Sequence, residues 1–312
     1  MFGGKTFLSP IVCIIGPTGT GKSQIALSLA KRLEGTVINT DSRQVYKDFP
    51  IITDQPSMND ICQCPHKLYG FLETKEQIDA GQFTSHADQA IANSFEKGRL
   101  PILVGGTGLY FKAILYGLAP IPNISEDVHN KILEMGQTYG YTFLYQWLQR
   151  IDSKAGQKIH KNDRQRITRA LEVYLQTKKP ITWWQGRSQK NGSRYQALKI
   201  GLFMDPLSLY QRLIERIEDM LSNNALKEIN QAWKHCPDEY APGWSAIGCQ
   251  ELLQYFLGRF SLDEAREEWI RKTKAYAKRQ MTWFRKESGI LWYQPDQVSK
   301  IHKDVYGWLE QK

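Results

Sequence analysis

Apolar residues in this chain form short unbroken runs near the start and helically spaced runs further on. Ile11 to Ile15 is wholly apolar and ends at Gly16, as expected of a strand buried on both faces of a parallel sheet. Gln24 to Leu33 has helical spacing, Thr36 to Thr40 is a second strand ending at Asp41, and Ile102 to Val104 is a third. The third strand runs into Gly105-Gly106-Thr107-Gly108. Strand, glycine turn, helix, strand predicts an α/β fold, a parallel sheet flanked by helices. Ala119-Pro120-Ile121-Pro122 interrupts it, and Ser125 to about Lys179 reads as helix throughout. After Trp183-Trp184 and the polar stretch Gln185 to Arg194, a strand pattern returns at Leu198 to Phe203. The expected organisation is a core of residues 1–119 and 198–312 with a helical insertion at 120–197. Long helices are expected over Leu207–Ala232 and Ser261–Lys286, the second opened by a Ser261/Glu264 capping box. No repeat or low-complexity segment is seen.

Composition narrows the class. The 312 residues are 41% hydrophobic, enough for a core and too apolar for wholesale disorder. The formal charge of +9 points to a polyanionic partner, with a merely basic soluble protein as the alternative. No run of about 18 apolar residues suggests a membrane span, and Met1 to Pro10 does not read as a signal peptide. Five irregularly spaced cysteines suit reduced thiols and a cytoplasmic location. Cys62, Cys64 and His66 lack a second ligand pair and read as loop residues rather than a metal site. A monomer is expected.

Gly16-Pro17-Thr18-Gly19-Thr20-Gly21-Lys22-Ser23 matches the phosphate-binding loop G-x-x-x-x-G-K-[ST] in full. Its glycines let backbone N–H groups wrap an anion, and the following helix adds its positive end. Lys22 brings a mobile charge to the terminal phosphates, and Ser23 is a candidate Mg²⁺ ligand. A P-loop NTPase-like sheet follows. Asp41, at a strand end beside this loop, is a candidate general base or a cap for the next segment. Thr107, flanked by glycines, either donates to a ligand or serves a tight turn.

Together these stretches resemble the tRNA dimethylallyltransferase family, of the bacterial type. The matching strings are Gly16–Ser23, Asp41 to Tyr46, Val104–Tyr110, Asn162-Asp163, Arg166, Arg169 to Val173, Ala246-Ile247-Gly248, Ala277 to Gln280 and Thr282 to Arg285. They occur in family order across roughly residues 11–290. The resemblance implies that the P-loop, with Mg²⁺, holds dimethylallyl diphosphate. The N6 of the adenosine 3′ to the anticodon then attacks, with Asp41 as base and Thr107 at the oxygen of the breaking bond. It further implies a flipped target base contacted by Asp41, Ser42, Arg43 and Gln44. Other implied tRNA contacts are His129, Gln165, Arg166, Arg169, Ile247, Gly248, Lys274, Lys278, Arg279 and Gln280, with the insertion gripping the anticodon stem-loop. The chain departs from the family pattern at Ile52, His129, Lys67 and Cys249-Gln250. No C-terminal zinc-finger pattern is seen.

The basic stretches are read beside this. Arg271, Lys278 and Arg285 recur every seven residues with Lys274 alongside, facing RNA phosphates, while Trp269, Tyr276 and Trp283 recur on the opposite face. Arg164, Arg166 and Arg169 form a second RNA-facing cluster. Arg212 and Arg216 are assigned to the diphosphate, with surface pairing to Glu215 and Glu218 as the alternative. Trp183-Trp184 offers base stacking or core packing. Competing functions are a small-molecule or nucleotide kinase, an adenylate dimethylallyltransferase, and a non-catalytic RNA-binding protein.

Overall fold

The computed structural model describes residues 9–187 and 192–311. Residues 1–8, most of the segment read for a signal peptide, and 188–191, within the polar stretch Gln185 to Arg194, lie outside the described residues.

In chain order the elements begin β1 Pro10–Ile15, α1 Lys22–Arg32, β2 Thr36–Asn39, α2 Met58–Gln63, β3 His66–Lys67, α3 Ala80–Glu96, β4 Pro101–Gly105 and α4 Gly108–Tyr116. There follow α5 Glu126–Ile151, α6 Ser153–Lys158, α7 Arg164–Thr177, α8 Ile181–Gln185, β5 Gln196–Leu202, α9 Pro206–Ser222 and α10 Ala225–His235. A 3-10 turn at Pro242–Ser245 leads to α11 Cys249–Phe256, α12 Leu262–Phe284, β6 Ile290–Tyr293 and α13 Val298–Leu309.

The strands form one parallel sheet in the order β3-β2-β4-β1-β5-β6. β1 lies between β4 and β5, with Val12 opposite Ile102 and Leu198. Val12, Cys13 and Ile14 have no exposed surface, which explains the unbroken apolar run of a strand covered on both faces. Helix α1 lays Ile25, Ala26, Leu29 and Ala30 on this sheet, and Ile301 and Val305 of α13 belong to the same core.

The chain divides into two compact units, residues 1–115 with 193–312, and 116–192. The second is all-helical, packed around Ile132, Leu144, Leu148, Ile167 and Leu171. The single helix expected over Leu207–Ala232 is two, because Asn224 adopts φ 72° and breaks the run between α9 and α10. The Ser261/Glu264 box does open α12: Ser261 Oγ accepts the Glu264 N–H at 3.2 Å and Glu264 accepts the Ser261 N–H at 2.7 Å. No helix among the described residues is long and apolar enough to cross a membrane.

Candidate active site

The loops after β1, β2 and β4 leave the carboxyl ends of neighbouring strands, where open α/β sheets bind ligands. The first is the phosphate loop. Gly19 and Gly21 take φ 83° and 82°, in the left-handed region that lets the backbone turn around an anion. No side chain caps the start of α1, so its first-turn amides remain available to one. The buried Thr20 hydroxyl and the Lys22 ammonium both donate to the Pro17 carbonyl at 2.8 Å, closing the loop. Burial lowers the Lys22 pKa to about 8; Arg216 adds to the fall, while Asp41 and Asp54 offset part of it.

Arg216 fastens this loop from outside. Its guanidinium donates to the Thr18 hydroxyl at 2.8 Å and pairs with Asp54 at 3.0 Å, not with Glu215 or Glu218. Its buried Nε has no hydrogen-bond partner among the described residues. Arg212 reaches the other side, 3.6 Å from where a Cβ on Gly21 would stand. Both arginines therefore face the phosphate loop. Ser23 is exposed in the first turn of α1.

The second loop carries Asp41. Asn39, buried at the end of β2, accepts the Asp41 N–H at 2.7 Å and donates to the Asp41 and Leu68 carbonyls. The Asp41 carboxylate accepts the Arg43 N–H at 2.9 Å, a local turn rather than a helix cap. The third loop brings Thr107 across: its hydroxyl accepts the Ser42 N–H at 3.0 Å, lies 3.3 Å from the Ser42 hydroxyl and hydrogen-bonds with Tyr276. Burial, and then the Asp41 carboxylate, hold the Tyr276 phenol protonated far above its usual range.

Asp41, Thr18, Arg43, Arg216, Tyr276 and Arg279 share a pocket of about 290 Å³ with Ile52, Leu213, Ile217, Met220, Ile247 and Trp269. Charged and polar groups line it together with apolar side chains. Glu228 supports it from behind: this buried carboxylate accepts the Ile51 and Ile52 N–H groups at 2.7 and 2.9 Å, and burial pushes its pKa up to about 7.

Several expected RNA contacts have partners within the protein. Gln280 is 4% exposed, with its amide shared between the Thr18 N–H and the Gly106 carbonyl, so its atoms are not offered to a partner. Gly248 is buried with its N–H given to Glu251. The Gln44 amide donates to the Thr53 and Asp54 carbonyls, shaping the pocket loop. Arg271 is neutralised by a two-pronged pair with Glu268. In the helical unit, His129 at 2.6 Å and Arg169 at 3.5 Å share the buried Glu172, Arg166 pairs with Asp163, and Arg164 covers Tyr141. Gln165 is exposed beside them. Trp183 packs edge-on to Trp184 under Arg187, and Trp184 donates to Thr177. His66 turns to the Cys64 carbonyl at 2.9 Å. Exposed cations that make no ion pair among the described residues include Lys278 and Arg285, while Lys274 lies over the Tyr210 ring.

Asn39, Asp54, Tyr276 and Glu228 were not singled out as site residues by the sequence. Asn39 had one signal, a polar residue closing a buried strand two positions before Asp41; the partners of the others lie far along the chain.

Residues 44–287 match the family described as IPP transferase. The chain belongs to that family. Among its relatives, a tRNA dimethylallyltransferase of Maridesulfovibrio salexigens is 47% identical over 96% of this chain and 97% of its own. One of Geobacter sulfurreducens is 38% identical over 98% of both. The crystal structure of a Bacillus halodurans tRNA isopentenylpyrophosphate transferase superposes with TM-score 0.72 at 32% identity, over 97% of each chain. A eukaryotic dimethylallyltransferase acting on tRNA gives TM-score 0.76 at 30% identity, over 91% of this chain and 74% of that one.

Proposed function

We propose that this protein transfers a dimethylallyl group from dimethylallyl diphosphate to N6 of the adenosine 3′ to the anticodon of tRNA, releasing diphosphate. The observation that carries this is one pocket lined by Asp41, Thr18 and Arg216 together with the apolar Ile52, Leu213, Ile217, Met220, Ile247 and Trp269. A phosphate loop alone suits any nucleotide; an apolar wall beside it suits an allylic chain. The P-loop amides, Lys22, Arg212 and Arg216 hold the diphosphate. Asp41 takes a proton from N6 as nitrogen bonds to the allylic carbon. The carbon–oxygen bond breaks and its electron pair leaves with the diphosphate, whose growing charge these fixed donors stabilise. Thr107, oriented by Ser42 and Tyr276, faces the bridging oxygen.

Mg²⁺ fits the donor set. No cluster of three His, Cys, Asp or Glu side chains among the described residues could hold a metal by itself. Mg²⁺ commonly takes one or two protein ligands and completes its shell with phosphate oxygens and water. Ser23 would hold it; when bound it neutralises charge on the leaving group.

The test offers labelled dimethylallyl diphosphate with tRNA, AMP or ATP. Label in tRNA supports the reading. Label in AMP alone, or phosphate transfer from ATP, overturns it.

Lys22 adds a pH dependence. Diphosphate binding favours the charged amine, so affinity is full below pH 8 and falls as pH rises through about 8, by roughly tenfold per unit. Titration calorimetry with inorganic diphosphate reads this. Lys22→Arg, which stays charged, flattens the profile; an equally steep profile in that variant assigns the proton elsewhere.

The RNA side rests on exposed charge. Lys278→Ala and Arg285→Ala each lower tRNA affinity and flatten the log–log salt slope by roughly 0.7–0.9. Arg271→Ala flattens the slope less than either, because Arg271 is already paired with Glu268. Filter binding at several salt concentrations checks the set, and wild-type slopes for Lys278 and Arg285 would reduce this stripe to solvated surface.

A further inference from the structure

The turn Gly105-Gly106-Thr107-Gly108 looks like a ligand cradle, but at two of its glycines the space is filled by α12. A Cβ on Gly106 would stand 1.9 Å from Gln280 Nε2, and one on Gly108 would stand 2.2 Å from the Trp283 ring. Tyr276, Gln280 and Trp283 lie at i, i+4 and i+7, one face of the helix. That face lies against the turn holding Thr107.

Gln280 reaches further than its neighbours. Its Oε1 accepts the Thr18 N–H at 2.8 Å and its Nε2 donates to the Gly106 carbonyl at 3.0 Å. The first partner is in the loop after β1 and the second in the turn after β4. A single planar amide thus spans the loop assigned to the diphosphate and the turn that carries Thr107, on a side chain almost closed to solvent. Its orientation is dictated by its partners: an N–H on one side demands the oxygen, a carbonyl on the other demands the NH₂.

We propose that Gln280 is a positioning residue that sets the separation of the phosphate loop from the turn that carries Thr107, and is not a contact to RNA. The inference rests on the transfer reaction proposed above. It differs from an RNA-binding role in what it changes. A lost RNA contact raises the tRNA concentration needed; a lost brace slows transfer when both substrates saturate.

The experiment compares wild type, Gln280→Leu and Gln280→Glu in single-turnover transfer at saturating dimethylallyl diphosphate and tRNA, with tRNA affinity measured separately. Gln280→Leu, which removes both bonds at similar volume, lowers the saturated rate by between about tenfold and 10²-fold. Its tRNA affinity stays that of wild type. Gln280→Glu keeps the acceptor for Thr18 but sets a carboxylate oxygen against the Gly106 carbonyl. Protonation restores the donor, so the ratio of its rate to wild type rises as pH falls. This ratio is read within one folded variant and stands even if Gln280→Leu fails to fold. A wild-type saturated rate with weakened tRNA binding, or a ratio flat with pH, overturns the proposal. An inactive wild type overturns the transfer reading instead. In that event the brace is read from inorganic diphosphate affinity, which falls in Gln280→Leu if the brace holds the loop and is unchanged if it does not.

Discussion

Asp41→Asn lowers single-turnover transfer by roughly 10²–10⁴-fold without a comparable loss of diphosphate affinity. The substitution is nearly isosteric, and its surroundings explain why it isolates proton transfer. The Asp41 backbone is held by the Asn39 side chain, which the change does not touch. Its own carboxylate oxygen accepts the Arg43 N–H, a bond that an asparagine oxygen makes equally well. The turn therefore keeps its shape, and what is lost is the capacity to take a proton from the attacking nitrogen. Rapid-quench transfer from labelled donor to tRNA measures the rate, and calorimetry with inorganic diphosphate measures binding. A variant that transfers at the wild-type rate would remove Asp41 from the role of base.

Lys22→Ala has the opposite signature. Donor affinity and turnover fall together, roughly 10²–10³-fold in kcat/KM, because a charge aimed at the leaving group acts in both the bound and the reacting state. The loop itself survives: Thr20 still donates to the Pro17 carbonyl, and Thr18 is still tied by Gln280 and Arg216. Affinity for tRNA is unchanged. Steady-state kinetics with each substrate varied in turn, alongside tRNA filter binding, separate these quantities. Unaltered donor affinity would mean that the loop holds some other anion.

Much of the core was legible because its strands are covered on both faces. The runs Ile11–Ile15 and Ile102–Val104 show as β1 and β4, and the phosphate loop is local, eight consecutive residues whose chemistry needs no distant partner. The edge was not legible. β6 is four residues following a long helix, with Leu291 still 45% exposed, so neither alternation nor an unbroken buried run marks it. The break between α9 and α10 was missed because Asn223-Asn224 interrupts amphipathic spacing that is otherwise continuous. In the site, sequence reasoning found residue types and missed how they are spent. Arg216 was found, but its bonds to Thr18 and Asp54 lie more than 160 residues away in the chain. Gln280 sits in a string of exposed cations, and only its angular position on α12, in line with Tyr276 and Trp283, turns it inward. Arg271 shares the exposed heptad stripe with Lys278, and its cancellation by Glu268 needed side-chain geometry.

The way α12 is anchored sets limits on how this chain can diverge. Residues on its outer face can be exchanged one at a time, and affinity for a polyanion adjusts in small increments. Its length between Tyr276 and Trp283 cannot change in the same manner. One inserted residue there would rotate everything beyond it by about 100°. An insertion between Lys278 and Arg279 would bring the long cation Arg279 to the position of the bridging amide, beside the Gly106 carbonyl, and would turn Trp283 away from Gly108. Length variation among functional descendants should therefore collect at the helix ends, near Ser261 and beyond Phe284, and be absent from the turns between them.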